Sequence, residues 1–227
     1  MIRAAVLLVL CGLSVAQRPP QESCDGGKMK SCSLELGTFW DKQPSDMTNF
    51  WIDRHVFESV ITSVYRTDIT DYVRVCNGIS LFYTCIGRQN INLCMGVGGL
   101  TNVQTTAYDA YQFEGILSRL RFECGDAFYA ITAYNDAVSC IQRTKTNYVT
   151  QMGKVTDDYE NAIQHDTYAN SCTNAGNFVH NISNVYNQGP CKEVNPQVLQ
   201  TANWFGCEGA RQHALTQFRH CEHQIHC

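Results

Sequence analysis

The sequence predicts an all-α fold, a disulfide-stapled helical bundle of seven to eight short antiparallel helices. Three observations carry that expectation. Apolar residues recur at helical spacing through most of the chain, strand-like alternation is nearly absent, and cysteines are spread along its whole length. Of the 13 cysteines, Cys11 lies in a leader, and the rest form an even set: Cys24, Cys32, Cys76, Cys85, Cys94, Cys124, Cys140, Cys172, Cys191, Cys207, Cys221 and Cys227. An even set of this size reads as six bridges formed in an oxidising compartment.

The elements follow in order. Met1-Ile2-Arg3, the apolar run 4–13 and the small residues Ser14-Val15-Ala16 describe a secretory signal peptide over 1–16. Residues 17–31, with Pro19-Pro20 and Gly26-Gly27, read as a flexible N-terminal segment. A cysteine-rich helical domain is expected over 32–227, with 32–145 and 146–227 as two candidate fused units. Phe50, Phe57, Ile61 and Val64 mark one helix. Asp68 offers an N-cap to the next, marked by Ile69, Tyr72, Cys76, Ile79, Tyr83 and Ile86. Cys76 and Cys85 point about 180° apart on a helix. Each therefore bridges to a different neighbour, while spacing leaves the connectivity open.

Cys94-Met95-Gly96-Val97-Gly98-Gly99 breaks the pattern, and Thr106 with Asp109 resembles a capping box before a helix ending at Cys124. Phe128, Ile131, Tyr134, Val138 and Ile141 form the next face. Val149, Met152, Val155, Tyr159 and Ile163 form another, and Cys172, Ala175, Phe178, Val179, Ile182 and Val185 a sixth. Asn195-Pro196 starts a short helix through Phe205, and a last helix is expected from Gly209 to Glu222.

Composition excludes several classes. Hydrophobic content of 44% argues for a folded domain, and a formal charge of −4 gives no basis for nucleic-acid binding. No later stretch is apolar enough to span a membrane.

Few motifs carry chemistry. The glycine segment after Cys94 resembles the calcium loop of secreted phospholipases A2, but Met95 interrupts the pattern. The next helix lacks a histidine, and His165-Asp166 lies far downstream. The tail gathers His220, His223 and His226, with His213 one helical step back. These are weak metal candidates, since Cys221 and Cys227 are needed for bridges and no HExxH order exists. Asp157, Asp158 and Glu160 read as an exposed helix face, and Phe39-Trp40 and Phe50-Trp51 as core or docking surface. Asn181-Ile182-Ser183 is a glycosylation sequon. No catalytic residue and no cofactor is assigned.

Cys76-(x8)-Cys85-(x8)-Cys94, Phe113-Glu114-Gly115-Ile116-Leu117 before Cys124, and Cys124-(x15)-Cys140 together resemble a group of nematode-expanded secreted domains. That group includes the domain-of-unknown-function 19 family and the core domain of chondroitin proteoglycan 4, and the resemblance covers roughly 32–140. It implies a non-enzymatic extracellular protein of a matrix, eggshell or cuticle. No Ser-Gly dipeptide is present, so chondroitin attachment is not expected. The expected function is a secreted structural or interaction module in an extracellular assembly, with an extracellular protein, a matrix component or another copy as partner. The alternatives are a carrier of a small apolar ligand in an interhelical cavity and a phospholipase-like hydrolase.

Overall fold

The computed structural model describes residues 23–65, 68–103, 106–134 and 136–227; the leader and Arg66-Thr67 lie outside them. The described residues form an all-helical domain with ten α-helices and no strand. These are α1 (Gly26–Phe39), α2 (Arg54–Val64), α3 (Ile69–Asn90), α4 (Val97–Asn102), α5 (Ala107–Cys124), α6 (Asp126–Thr132), α7 (Ala137–Asn147), α8 (Val149–His165), α9 (Ser171–Gln188) and α10 (Pro196–Gln217).

Several starts are where the capping residues place them. The Asp68 carboxylate accepts from the Asp71 N–H at 3.0 Å, Thr106 Oγ1 from the Asp109 N–H at 3.0 Å, and Asn195 Oδ1 from the Val198 N–H at 2.9 Å. Several boundaries differ from expectation. Residues 26–31, expected to be flexible, belong to α1. Asp25 caps that helix by accepting from the Lys28 N–H, and Met29 packs fully buried. The face from Phe128 to Ile141 divides into α6 and α7, and the glycine segment contributes α4, so the count exceeds the expected seven to eight.

Conversely, α10 runs unbroken through Gly206 and Gly209, where two helices were expected. Gly206 serves close packing here: a Cβ at this position would stand 2.1 Å from the Tyr186 ring, so the glycine lets α9 and α10 approach. Gly87 is different. Its φ of 76° sits inside α3 and bends that helix.

The cysteines close six bridges: Cys24–Cys94, Cys32–Cys85, Cys76–Cys124, Cys140–Cys191, Cys172–Cys221 and Cys207–Cys227. Cys76 and Cys85 do reach different partners, as their opposed directions on α3 require. Three bridges lie within residues 24–124 and three within 140–227, and none joins the two sets.

Side-chain packing joins what the bridges do not. One core cluster belongs to α1–α5, with a run of aromatic rings through Trp40, Phe50, Phe57 and Phe113 at centroid spacings of 6.0, 4.7 and 5.0 Å. A second cluster draws Tyr72 and Phe122 together with Tyr186 and Phe205, and so crosses the 145/146 position. A third joins α8, α9, α10 and the tail. Trp40, Phe50 and Trp51 are core, whereas Phe39 is partly exposed.

Candidate functional site

Where the two bridged sets meet, α2 and α5 on one side face α7, α8, α9 and α10 on the other across a cleft of about 500 Å³. That volume lies within the roughly 300–1,000 Å³ range of small-molecule sites. Its apolar wall includes Ile61, Ile116, Leu120, Met152, Phe178 and Ile182. These are inward positions of four helices, and each also packs into or against a core cluster.

Polar groups interrupt this wall, and Glu123 is their centre. It sits one turn beyond Arg119 on α5 and is only 4% exposed. Its Oε2 accepts from Lys145 Nζ at 2.7 Å and from the Tyr65 hydroxyl at 3.1 Å; Arg119 Nε lies 3.7 Å from Oε1. The Tyr72 hydroxyl donates to the Glu123 carbonyl. Burial alone would push this carboxyl up, but Lys145 and Arg119 outweigh it and hold it below the ordinary carboxylate range. The Lys145 ammonium also lies over the Tyr65 and Phe205 rings, 4.5 and 5.0 Å from their centroids.

At the other end, Arg54 of α2 grips Glu160 of α8 with two hydrogen bonds, 2.7 Å at the Nη2–Oε2 contact, and reaches Asp109 at 3.3 Å. Glu160 therefore turns inward, whereas it was expected on an exposed face with Asp157 and Asp158; those two are exposed.

Gln142 is the exceptional residue. It is 1% exposed and lines the cleft, and among the described residues neither its Oε1 nor its Nε2 has a hydrogen-bond partner. Gln142, Lys145 and Thr146 share one face of α7 by their i, i+3, i+4 spacing.

Among the described residues, the four tail-region histidines are not brought together in one cluster. The expected helix to Glu222 ends at Gln217, so His220, His223 and His226 are not arrayed on one helical face. Both His220 nitrogens have partners, the Tyr168 hydroxyl at 3.2 Å and Ser171 Oγ at 3.3 Å. Among the described residues, the one group of three potential ligands is Cys172, His220 and Cys221, and its two sulfurs are joined to each other in a bridge.

His213 is not solvated either. It is 4% exposed on α10, where Nε2 meets Gln112 Oε1 at 2.9 Å. Gln112 donates through Nε2 to Gln217, so its oxygen accepts and His213 carries its proton on Nε2. Burial, with Arg119 and Arg54 adding to it, pushes the imidazole down to about 3 from 6.5.

This depressed value has a consequence for stability. The unfolded chain takes up a proton at this histidine below pH 6.5, and the folded one does not, so stability is complete above pH 6.5 and declines as pH falls toward 3. Between pH 6.5 and 5 the expected loss is about 2 kcal/mol. Glu123 acts in the same direction, but only below the ordinary carboxylate pKa. Urea denaturation across this window should show the decline, and His213→Gln should flatten it. An unchanged slope in that variant would assign the proton elsewhere.

The segment resembling a calcium loop is helical here. Residues 97–102 form α4, which packs on α5 and on the π-turn Ile91–Met95. The Asp166 carboxylate is occupied near the start of α9 by the Thr167 N–H and the side chains of Asn170 and Asn174. Asn181 is exposed on α9, and the Ser183 hydroxyl donates to Asn203.

Sequence reasoning missed Gln142, Arg119, Glu123, Lys145 and Arg54. A signal was present: Gln142 and Lys145 continue the Val138–Ile141 stripe of α7, and Glu123 follows Ile116 and Leu120 on α5. Polar residues at apolar positions mark a buried network. Comparison with protein-family models, curated proteins and solved structures returned no match.

Proposed function

We propose that this protein is a secreted, non-enzymatic binding protein whose disulfide-locked helices hold a preformed cleft for a small, largely apolar ligand. The observation that carries the reading is the cleft of about 500 Å³, walled by apolar side chains from several helices and lined by Gln142, whose buried amide has no partner among the described residues. Its cationic groups are engaged with carboxylates, an arrangement suited to holding shape rather than to turnover. Six bridges favour an oxidising, extracellular setting. A glycan on exposed Asn181 and kinship with the nematode-expanded secreted domains belong to the same proposal.

The test is a titration with N-phenyl-1-naphthylamine, a neutral apolar dye that fluoresces when shielded from water. Saturable one-site binding is expected. Gly153 lines the cleft, and a Cβ there meets nothing within 4 Å. Gly153→Phe should therefore fill the space, abolish dye binding and leave the melting temperature within a few degrees. A wild-type protein that does not bind the dye, or a filled variant that binds it equally well, would overturn the reading.

A role in an extracellular assembly rests on a separate observation. Tyr129 and Tyr168 are 79% and 73% exposed, and aromatic residues this exposed suit contact with another protein. Concentration-dependent mass in light scattering would support self-association.

A further inference from the structure

Building on the proposed cleft function, we infer that the cleft selects a ligand with a neutral head carrying a hydrogen-bond donor and an acceptor on one edge, a carboxamide being the simplest, attached to an apolar body. Three features define that chemistry.

The first is Gln142. This residue is 1% exposed and lines the cleft, and both Oε1 and Nε2 of its amide are without a partner among the described residues. Burial of an amide with both ends unmet opposes folding, so its presence calls for a partner that arrives from outside. A ligand carboxamide satisfies both ends at once, its N–H donating to Oε1 and its carbonyl accepting from Nε2.

The second is the charge inventory. Arg54 is engaged by Glu160 and Asp109, Arg119 by Glu58 and Glu123, and Lys145 by Glu123. The lining holds three such cations against the four carboxylates of Glu58, Glu123, Asp157 and Glu160. An anionic head would find no uncompensated cation and would face carboxylates. A cationic head would compete with Lys145 and Arg119 for Glu123, which already accepts from several donors. A neutral head disturbs none of these pairs.

The third is the wall. Ile116, Leu120, Met152, Phe178 and Ile182 offer no hydrogen bonds and accept an alkyl or aryl body.

The experiment is displacement of N-phenyl-1-naphthylamine by three probes of equal chain length: dodecanamide, dodecanoate and methyl dodecanoate. Dodecanamide is expected to displace the dye at least about tenfold more tightly than either competitor. Dodecanoate brings a charge, and the ester lacks the donor. Gln142→Leu should abolish the preference, so that dodecanamide displaces the dye no better than methyl dodecanoate does. The same variant should raise the melting temperature of the free protein, because it removes an amide whose needs are unmet inside. Gln142→Met provides the same readout should the leucine variant not fold.

Equal displacement by all three probes would overturn the inference while leaving the cleft reading intact. So would an amide preference that survives in Gln142→Leu. Absence of dye binding by the wild type would overturn the cleft reading and this inference with it.

Discussion

Reducing all six disulfides under otherwise native conditions is expected to unfold the protein. Five of the bridges span 48–70 residues and the sixth spans 20. Each restricts the unfolded chain by roughly 2–4 kcal/mol, so together, at about 12–24 kcal/mol, they match or exceed the ~5–15 kcal/mol net stability of an ordinary domain. Far-UV circular dichroism during reduction should therefore show loss of most helical signal, with intact mass rising by twelve hydrogens. Removing bridges singly should grade the effect. A double serine variant of Cys207 and Cys227 opens the shortest loop and should cost about 3 kcal/mol, against about 4 kcal/mol for Cys24 and Cys94. A reduced chain that kept its helices and melted cooperatively would show that the apolar core suffices without the bridges.

Glu123→Ala is expected to cost about 3–5 kcal/mol, the largest effect of a single substitution at the cleft. The residue itself buries little apolar area. Its removal strands the Lys145 ammonium, held at 2.7 Å, and leaves the Tyr65 hydroxyl without its acceptor. Arg119 keeps Glu58 at 3.2 Å and suffers less. The asymmetry is testable: a Glu123→Leu, Lys145→Met double variant removes both charges and should recover much of the loss, since an apolar pair can replace a buried ion pair at little cost. Urea melts at neutral pH would measure both. A loss below about 1 kcal/mol for Glu123→Ala would mean that water reaches the pair and screens it.

The sequence made helix starts legible because capping is local chemistry. Thr106, Asp68 and Asn195 each satisfy an N–H three residues ahead, and no distant partner is needed. The opposed directions of Cys76 and Cys85 were legible for the same reason, following from helix geometry alone. The continuity of α10 was not, because Gly206 is fixed by the Tyr186 ring, which belongs to another helix. The start of α1 was obscured by Gly26-Gly27, whose low propensity is offset by the Asp25 cap and the burial of Met29 and Cys32. The cleft was least legible. Its defining pairs join residues 22 and 106 positions apart, Glu123 with Lys145 and Arg54 with Glu160. A lone glutamine or glutamate in a helix looks solvated until the facing helix is known. His213 shows the same limit, since its neighbours Gln112 and Gln217 come from α5 and the end of α10.

The partition of the bridges gives the cleft a mechanical meaning. Three close the chain before residue 125 and three close it after residue 139, and the cleft lies along the seam between them. Each set is closed covalently within itself, and the only covalent link between the two is a single stretch of backbone. A protease cut within 125–139 would leave two chains that no covalent bond unites, separable in denaturant without any reductant. A ligand seated in the proposed cleft would touch residues of both sets at once, and so would act as the rivet that the covalent framework omits.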